Sequence, residues 1–321
     1  MSPGGLLVAM LAAVALAAPL LAPHSPVRQI DPAAARHRPP GTSMAVVELA
    51  DGRTLLAERV RRTAEGLEVV RLSERTTYPE QAVANLTPEG VDGRRRFLLG
   101  TDGYGRDVLS RMLYGARVSL AVAGLAVGLA LTVGLLVGSA AATGPRFLDA
   151  VLMRSVDGLL AFPWLFLVLM LTALFRPSLG LIVVIIGATS WMGISRLVRA
   201  EMLSLKRREF ILAARGLGLH PARVLVRHLL PNALNPVVVQ ATLGVGDVIL
   251  AESALSFLGV GVQPPTPSWG NMVAHGQSVL VTAWWVATFP GLAIVVAVLA
   301  FNLLGDRLRD ALDPRTTAAA K

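Results

Sequence analysis

Six runs of about twenty mostly apolar residues constrain this chain more than anything else in it. A helix of that length is what crosses the hydrocarbon core of a bilayer. The runs are Ser2–Leu21, Val118–Ala142, Val156–Phe175, Ser178–Leu197, Pro236–Leu258 and Trp284–Leu304. The second, fourth and sixth have almost no polar side chain at their centres. The third contains Pro163 and the fifth contains Asp247 and Glu252, features tolerated in a span when neighbouring helices or a cavity satisfy them. Gly124-x-x-x-Gly128 and Gly134-x-x-x-Gly138 on the second run suit close helix packing, read here as packing within the chain. The sequence predicts an all-α polytopic membrane protein of six spans.

The first run resembles a secretory leader in length, but no Lys or Arg precedes Arg28, so the basic flank of a leader is missing and residues 1–22 are read as a span. Arginine placement sets the orientation. The segment 195–235 carries eight basic residues against Glu201 and Glu209, whereas 259–283 carries no charged residue. The first loop is thus expected in the cytoplasm, the second outside, and both termini in the cytoplasm. The loop 23–97 is then extracytoplasmic. Within it, 44–96 reads as a small β-rich module: Met44–Ala50 and Arg53–Val60 flank an Asp51-Gly52 turn, and Gly66 precedes a further strand at Leu67–Leu72. Residues 98–117 read as an interfacial elbow, with Thr101 or Asp102 capping a short helix near Arg106 and Arg106, Asp107 and Arg111 giving it a polar face, or else as a simple extension of the following helix. Residues 118–305 form a core of five spans and 306–321 a cytoplasmic tail. Trp284 and Trp285 read as interface-belt aromatics.

Much chemistry is excluded. The chain has no cysteine, hence no disulfide or thiolate site. Its two lysines, Lys206 and Lys321, do not follow a glycine, so there is no P-loop and the chain cannot itself be a P-loop ATPase. The five histidines show no metal-ligand spacing, and no G-x-S-x-G occurs. Net charge is +9, but aromatics are only 5% and the charge forms no single stripe, so nucleic acid is not an expected partner. A non-catalytic membrane subunit is expected, binding no cofactor or metal.

The segment 195–235 reads as a helix over Glu209–Leu217, a turn at Gly216 and Gly218, and a second helix over Pro221–Leu230. Pro231 and Pro236 bracket the return to the membrane. Small Ala213 and Ala214 allow close approach by another protein, and an amphipathic hairpin on anionic lipid fits equally well. Asp247 lies about 16 Å along the helix from Pro236, near the midplane. It could line a pathway and meet a cation such as a peptide amino terminus, or bond a neighbouring helix. Glu252, nearer the outer end, is a second candidate for the translocation pathway, though a structural anchor is the favoured reading there.

Glu209–Gly218 followed by Arg227–Asn232 resembles the EAA signature of ABC-importer permeases, E-A-A-x3-G-x9-I-x-L-P. Ala213, Ala214, Gly218, Leu230 and Pro231 match it, while Leu212 stands at its Glu and His228 at its Ile. Leu99–Arg111, Glu252–Gly270 and Phe301–Pro314 are similar to the C-type subunit of dipeptide/oligopeptide/nickel importers. The resemblance covers about 98–315 and the first span, not 44–96. It implies a permease of two different subunits, two cytoplasmic ATPases carrying ATP and Mg, and an extracytoplasmic substrate-binding protein, in a bacterial inner membrane. It also implies an ATPase-coupling role for Glu209, Leu212, Ala213, Ala214, Arg215, Gly216, Gly218, Leu230 and Pro231. Peptide is favoured as cargo, with nickel or another small solute as the alternative within the family. A stand-alone secondary transporter, with Asp247 and Pro163 as its only hints, or a structural scaffold, are the rivals outside it.

Overall fold

A computed structural model describes residues 2–88, 90–175 and 178–312. Among these, five helices are long and apolar enough to cross a membrane, and a sharply bent pair makes a sixth candidate. They are α1 (Pro3–Leu21), α3 (Val108–Thr143), α6 (Leu179–Leu205), the helix of 221–257 and α11 (Trp285–Leu312), with the pair α4 (Arg146–Leu160) and α5 (Trp164–Leu174). The remaining helices are α2 (Pro32–Ala35), α7 (Glu209–Gly216), α8 (Pro221–Val224), α9 (Leu230–Phe257) and α10 (Trp269–Gln277).

The third run differs from its reading as one straight span. The chain turns by 83° between α4 and α5. Pro163 stands at that break with extended backbone, because it lacks the N–H a continuing helix needs. The last helix continues to Leu312, so 306–312 of the expected tail is helical, and 313–321 lie outside the described residues. The chain divides into two compact units.

The first unit is built around Ser119–Gln263, with the start of the chain and the last helix from Ile294 on. Its core gathers Ala130 and Ala142 from α3, Ile194, Val198 and Met202 from α6, and Ala233 and Val237 from α9. Glycines set how closely these helices approach. A Cβ on Gly138 would sit 2.5 Å from the Ser195 carbonyl, and one on Gly134 2.7 Å from Ile194. Gly134 and Gly138 thus pack within the chain. Gly124 and Gly128 face open space, so packing within the chain does not hold for that pair.

The second unit comprises 13–118 and 264–293. Its strands are β1 (Thr42–Glu48), β2 (Thr54–Ala57), β3 (Arg59–Thr63), β4 (Gly66–Arg71), β5 (Glu74–Tyr78), β6 (Leu86–Thr87), β7 (Gly90–Val91) and β8 (Arg94–Phe97). They form antiparallel sheets in the orders β2-β1-β8, β3-β4-β5 and β6-β7. The Asp51-Gly52 hairpin is present, with Gly52 at φ +84 and the Asp51 carboxylate accepting from the Arg53 N–H at 2.9 Å. The run Arg53–Val60 is not one strand. It breaks at Glu58, where the chain leaves the β1 ladder at Ala57 and joins β4 at Arg59. β1 is buried on both faces: Met44 joins Leu56 and Phe97, while Ala45 and Val47 join Leu67 and Val69.

The elbow also differs. Residues 108–117 are the unbroken start of α3. Its cap is Asp107, which accepts from the Ser110 N–H at 2.8 Å. Asp102 is unavailable for that task. It accepts from Arg106 Nε at 2.8 Å, pairs with Arg111 at 3.4 Å and receives the Tyr104 N–H at 2.9 Å. These charged groups are buried, so they form an internal ionic knot rather than a polar surface face. Arg106 also lies over the Tyr104 ring, 4.5 Å from its centroid. Trp285 is not a belt aromatic: it is buried and donates from Nε1 to the Thr101 carbonyl at 3.1 Å. Trp284 is half exposed.

Candidate functional site

Two features of the first unit gather the residues singled out from the sequence. The first is α7 and its surroundings. Glu209 stands in the first turn, favourable at the positive end of the helix dipole, and Arg215 in the last. The helix ends in a Schellman arrangement. Leu219 N–H reaches the Ala214 carbonyl at 3.2 Å, and Gly218 N–H reaches Arg215 at 2.9 Å. Gly218 has φ +76, a region where a Cβ is strained. Gly216 lies within the last helical turn. The helix has two faces. Ile211 is fully buried with Val224 and Leu229, forming a small core under the loop. Ala214 is only 8% exposed, whereas Phe210 is 46%, Leu212 54% and Leu217 81% exposed. Ala213 and Arg215 are also exposed.

Of the two small residues read as allowing close approach, Ala213 is exposed and Ala214 is buried. The structure corrects the second helix. The chain does not stop at Leu230: helix runs from Pro221 through a π-helical turn at Leu225–Leu229 into α9. Pro231 stands just past that π-helical turn, where the regular backbone ladder is already interrupted and a residue without an N–H is accommodated. The sequence thus provides one peg helix, not two. Behind it, Lys206 donates to the Ala142 carbonyl. Burial, and then the nearby Arg215, hold its ammonium below the ordinary lysine range.

The second feature is a groove of about 510 Å³ between α3, α5, α6 and α9. Asp247 lines it, with Gln240, Gly244 and Ala251 from the same face of α9, Ser190 and Gly193 from α6, and Trp164 from α5. Trp164 is fixed by a bond from Nε1 to Thr189 Oγ1 at 3.1 Å. Asp247 is exposed within the groove. Gln240, Ser190 and Trp164 were not singled out from the sequence. The signal was there, since Gln240, Gly244, Asp247 and Ala251 recur at helical spacing, a polar and small-residue stripe that a reading confined to charged residues passes over.

Glu252 is not in the groove. It is fully buried, accepting from Ser256 Oγ at 2.7 Å and Ser119 Oγ at 3.3 Å. Ser256 Oγ in turn accepts from the Val262 N–H at 3.1 Å. The structure therefore separates Glu252 from Asp247: one carboxylate ties α9 to α3 and to the loop beyond it, the other faces open space.

The chain was compared with known proteins. A family described as "Binding-protein-dependent transport system inner membrane component" matches residues 130–318. A Brucella suis biovar 1 protein bearing a provisional peptide-permease name is 47% identical over 218 residues, 67% of this chain and 72% of that one. The di/tripeptide transport system permease protein DppC of Pseudomonas aeruginosa is 44% identical over 228 residues, 71% of this chain and 75% of that one. Among solved structures, the inward-facing MetNI methionine ABC transporter aligns with TM-score 0.54 at 20% identity, over 64% of this chain and 96% of that chain. An amino acid ABC transporter aligns at 0.51 and 16% identity, over 63% and 94%. At these identities the two structures speak for the fold alone. The chain belongs to the family of binding-protein-dependent transport system inner membrane components and is a multi-pass permease subunit of the ABC-transporter type.

Proposed function

We propose that this chain is one of two different transmembrane subunits of an ATP-driven importer for short peptides in a bacterial inner membrane. Its partners on this reading are a second permease subunit, two cytoplasmic ATPases that hold ATP and Mg, and an extracytoplasmic binding protein that delivers cargo. Both termini and α7 lie in the cytoplasm, and the β-rich module lies outside. The chain performs no catalysis and binds no cofactor of its own. The peptide assignment is supported by the 44% identity to a di/tripeptide permease.

The observation that carries this reading is the two-faced build of α7. A helix with a packed inner face and exposed Phe210, Leu212, Ala213 and Leu217 is what a knob seated in another protein's groove requires. Glu209, Arg215, Gly216 and Gly218 shape the knob, while Leu230 and Pro231 carry it into α9. ATP binding closes the ATPases and moves the knob as a rigid body. ATP shifts the permease between states only through its different affinity for them. Asp247 lines the pathway, and Glu252 anchors α9 at one end of it.

Co-purification tests the reading. Leu217→Glu and Phe210→Glu should reduce ATPase recovery at least tenfold while the chain still inserts and melts normally. Unchanged recovery with both variants, or nucleotide-independent uptake by the chain reconstituted alone, overturns it.

A further inference from the structure

We propose that the α6–α9 groove is a charge-selective subsite for peptide cargo, in which Asp247 holds a free amino terminus and Gln240 reads a backbone amide further along the same chain. This inference rests on the importer reading above and names the cargo feature that the pathway recognises. At about 510 Å³ the groove falls in the size range of small-ligand pockets, roughly 300–1,000 Å³. Asp247 is the one ionisable side chain among its described lining residues. The remaining walls are aliphatic, apart from Trp164, Ser190 and Gln240, so the one formal charge facing the groove is negative. Such a site attracts an ammonium and repels a carboxylate.

The spacing adds a length element. Asp247 and Gln240 are seven residues apart, two turns of α9, which puts them on one face about 10 Å apart. Three residues of extended chain cover about that distance. Gly244 lies between them, and a Cβ there would meet no atom within 4 Å, so the floor of the groove is open to a passing backbone. The Gln240 side chain offers both a donor and an acceptor, which suits a peptide unit. Trp164, bonded to Thr189, lines the groove from α5.

The absence of cysteine allows a direct test in the assembled importer in membranes, with Ser190→Cys as the reporter. A cationic methanethiosulfonate should label it at least tenfold faster than an anionic one. Asp247→Asn should bring that ratio close to one. Trialanine should slow labelling, N-acetyl-trialanine should not, and Gln240→Leu should weaken the protection without changing the charge ratio. Equal labelling by both reagents, protection by both peptides alike, or no labelling at all would overturn the proposal. ATPase co-purification and nucleotide-dependent uptake are measured on the same preparation, so a failed subsite is distinguishable from a failed importer assignment.

Discussion

Arg199 holds Asp149 with both arms of its guanidinium, Nε at 2.5 Å and Nη2 at 2.6 Å. The pair joins α6 to α4, and a second ion pair, Arg196 to Asp157, joins the same two helices. Both arginines lie within the last ten residues of α6, just ahead of α7, so α4 is tethered to the stretch that carries the peg. Bidentate geometry gives direction to this tether. Partial exposure limits its strength to about 0.2–1 kcal/mol. A double-mutant cycle with Arg199→Ala and Asp149→Ala, read by thermal unfolding in detergent, should return a coupling in that range. Uptake should fall more than stability does. A coupling near zero would mean that the tether carries no load.

Asp31 makes the β-rich unit sensitive to acid. Its buried carboxylate accepts from Arg71 Nε and Nη2 at 2.8 and 2.6 Å, from the Leu56 N–H at 3.1 Å and from the Ala34 N–H at 3.2 Å. Burial alone would raise its pKa, but the Arg71 guanidinium and the two backbone donors outweigh burial and hold it below the ordinary carboxylate range. A group whose folded pKa is depressed contributes stability above its unfolded value, about 3.9 for Asp. That contribution is lost as pH falls through the folded value. Hydrogen-exchange protection of β2 and β4 should therefore drop below about pH 4 in the native chain. Asp31→Asn should lower protection by about 1.5–3 kcal/mol at pH 7 and flatten the acid response. An unaltered pH profile in Asp31→Asn would assign the acid sensitivity elsewhere.

Glu252 is predicted to act through geometry. Ser256→Ala removes both the donor to Glu252 and the acceptor for Val262, at a cost of about 1–3 kcal/mol. Glu252→Gln keeps an acceptor for Ser256 and should melt close to the native chain, whereas Glu252→Leu leaves Ser119 and Ser256 without that acceptor and should melt well below it. Differential scanning fluorimetry ranks the three. Equal melting of Glu252→Gln and Glu252→Leu would remove the hydrogen-bonding role.

The spans and the peg were legible in the sequence because hydropathy and glycine–proline punctuation are local signals. Pro163 sits at a break, Gly218 at a turn, and Pro231 just past the π-helical turn in the structure. What was not legible depends on partners distant in the chain. Asp102 could not be removed as a helix cap until Arg111 was seen beside it. Ile211 could not be told from Leu212 as the inward residue until Val224 and Leu229 were found packed with it. Trp285 resembled a belt aromatic until the Thr101 carbonyl was found at its indole nitrogen. The strand break at Glu58 follows from a change of sheet that no alternation pattern records.

The two glycine pairs on α3 offer a last test, because they share a motif and differ in surroundings. At Gly138 an added Cβ would meet the Ser195 carbonyl at 2.5 Å and Val198 at 2.7 Å, so helix or neighbour must move. Overpacking of this kind costs about 1–3 kcal/mol, and Gly138→Ala should lower the melting temperature of the detergent-solubilised chain. At Gly128 an added Cβ meets nothing within 4 Å, and replacing a helix-interior glycine by alanine gains about 0.5–1 kcal/mol. Gly128→Ala should leave the isolated chain unchanged or more stable. The same variant measured in the importer complex adds information, since only a partner helix seated against that open face would reverse the sign. Destabilisation of the isolated chain by Gly128→Ala, or no effect from Gly138→Ala, would show that α3 packs on the opposite side from the one described.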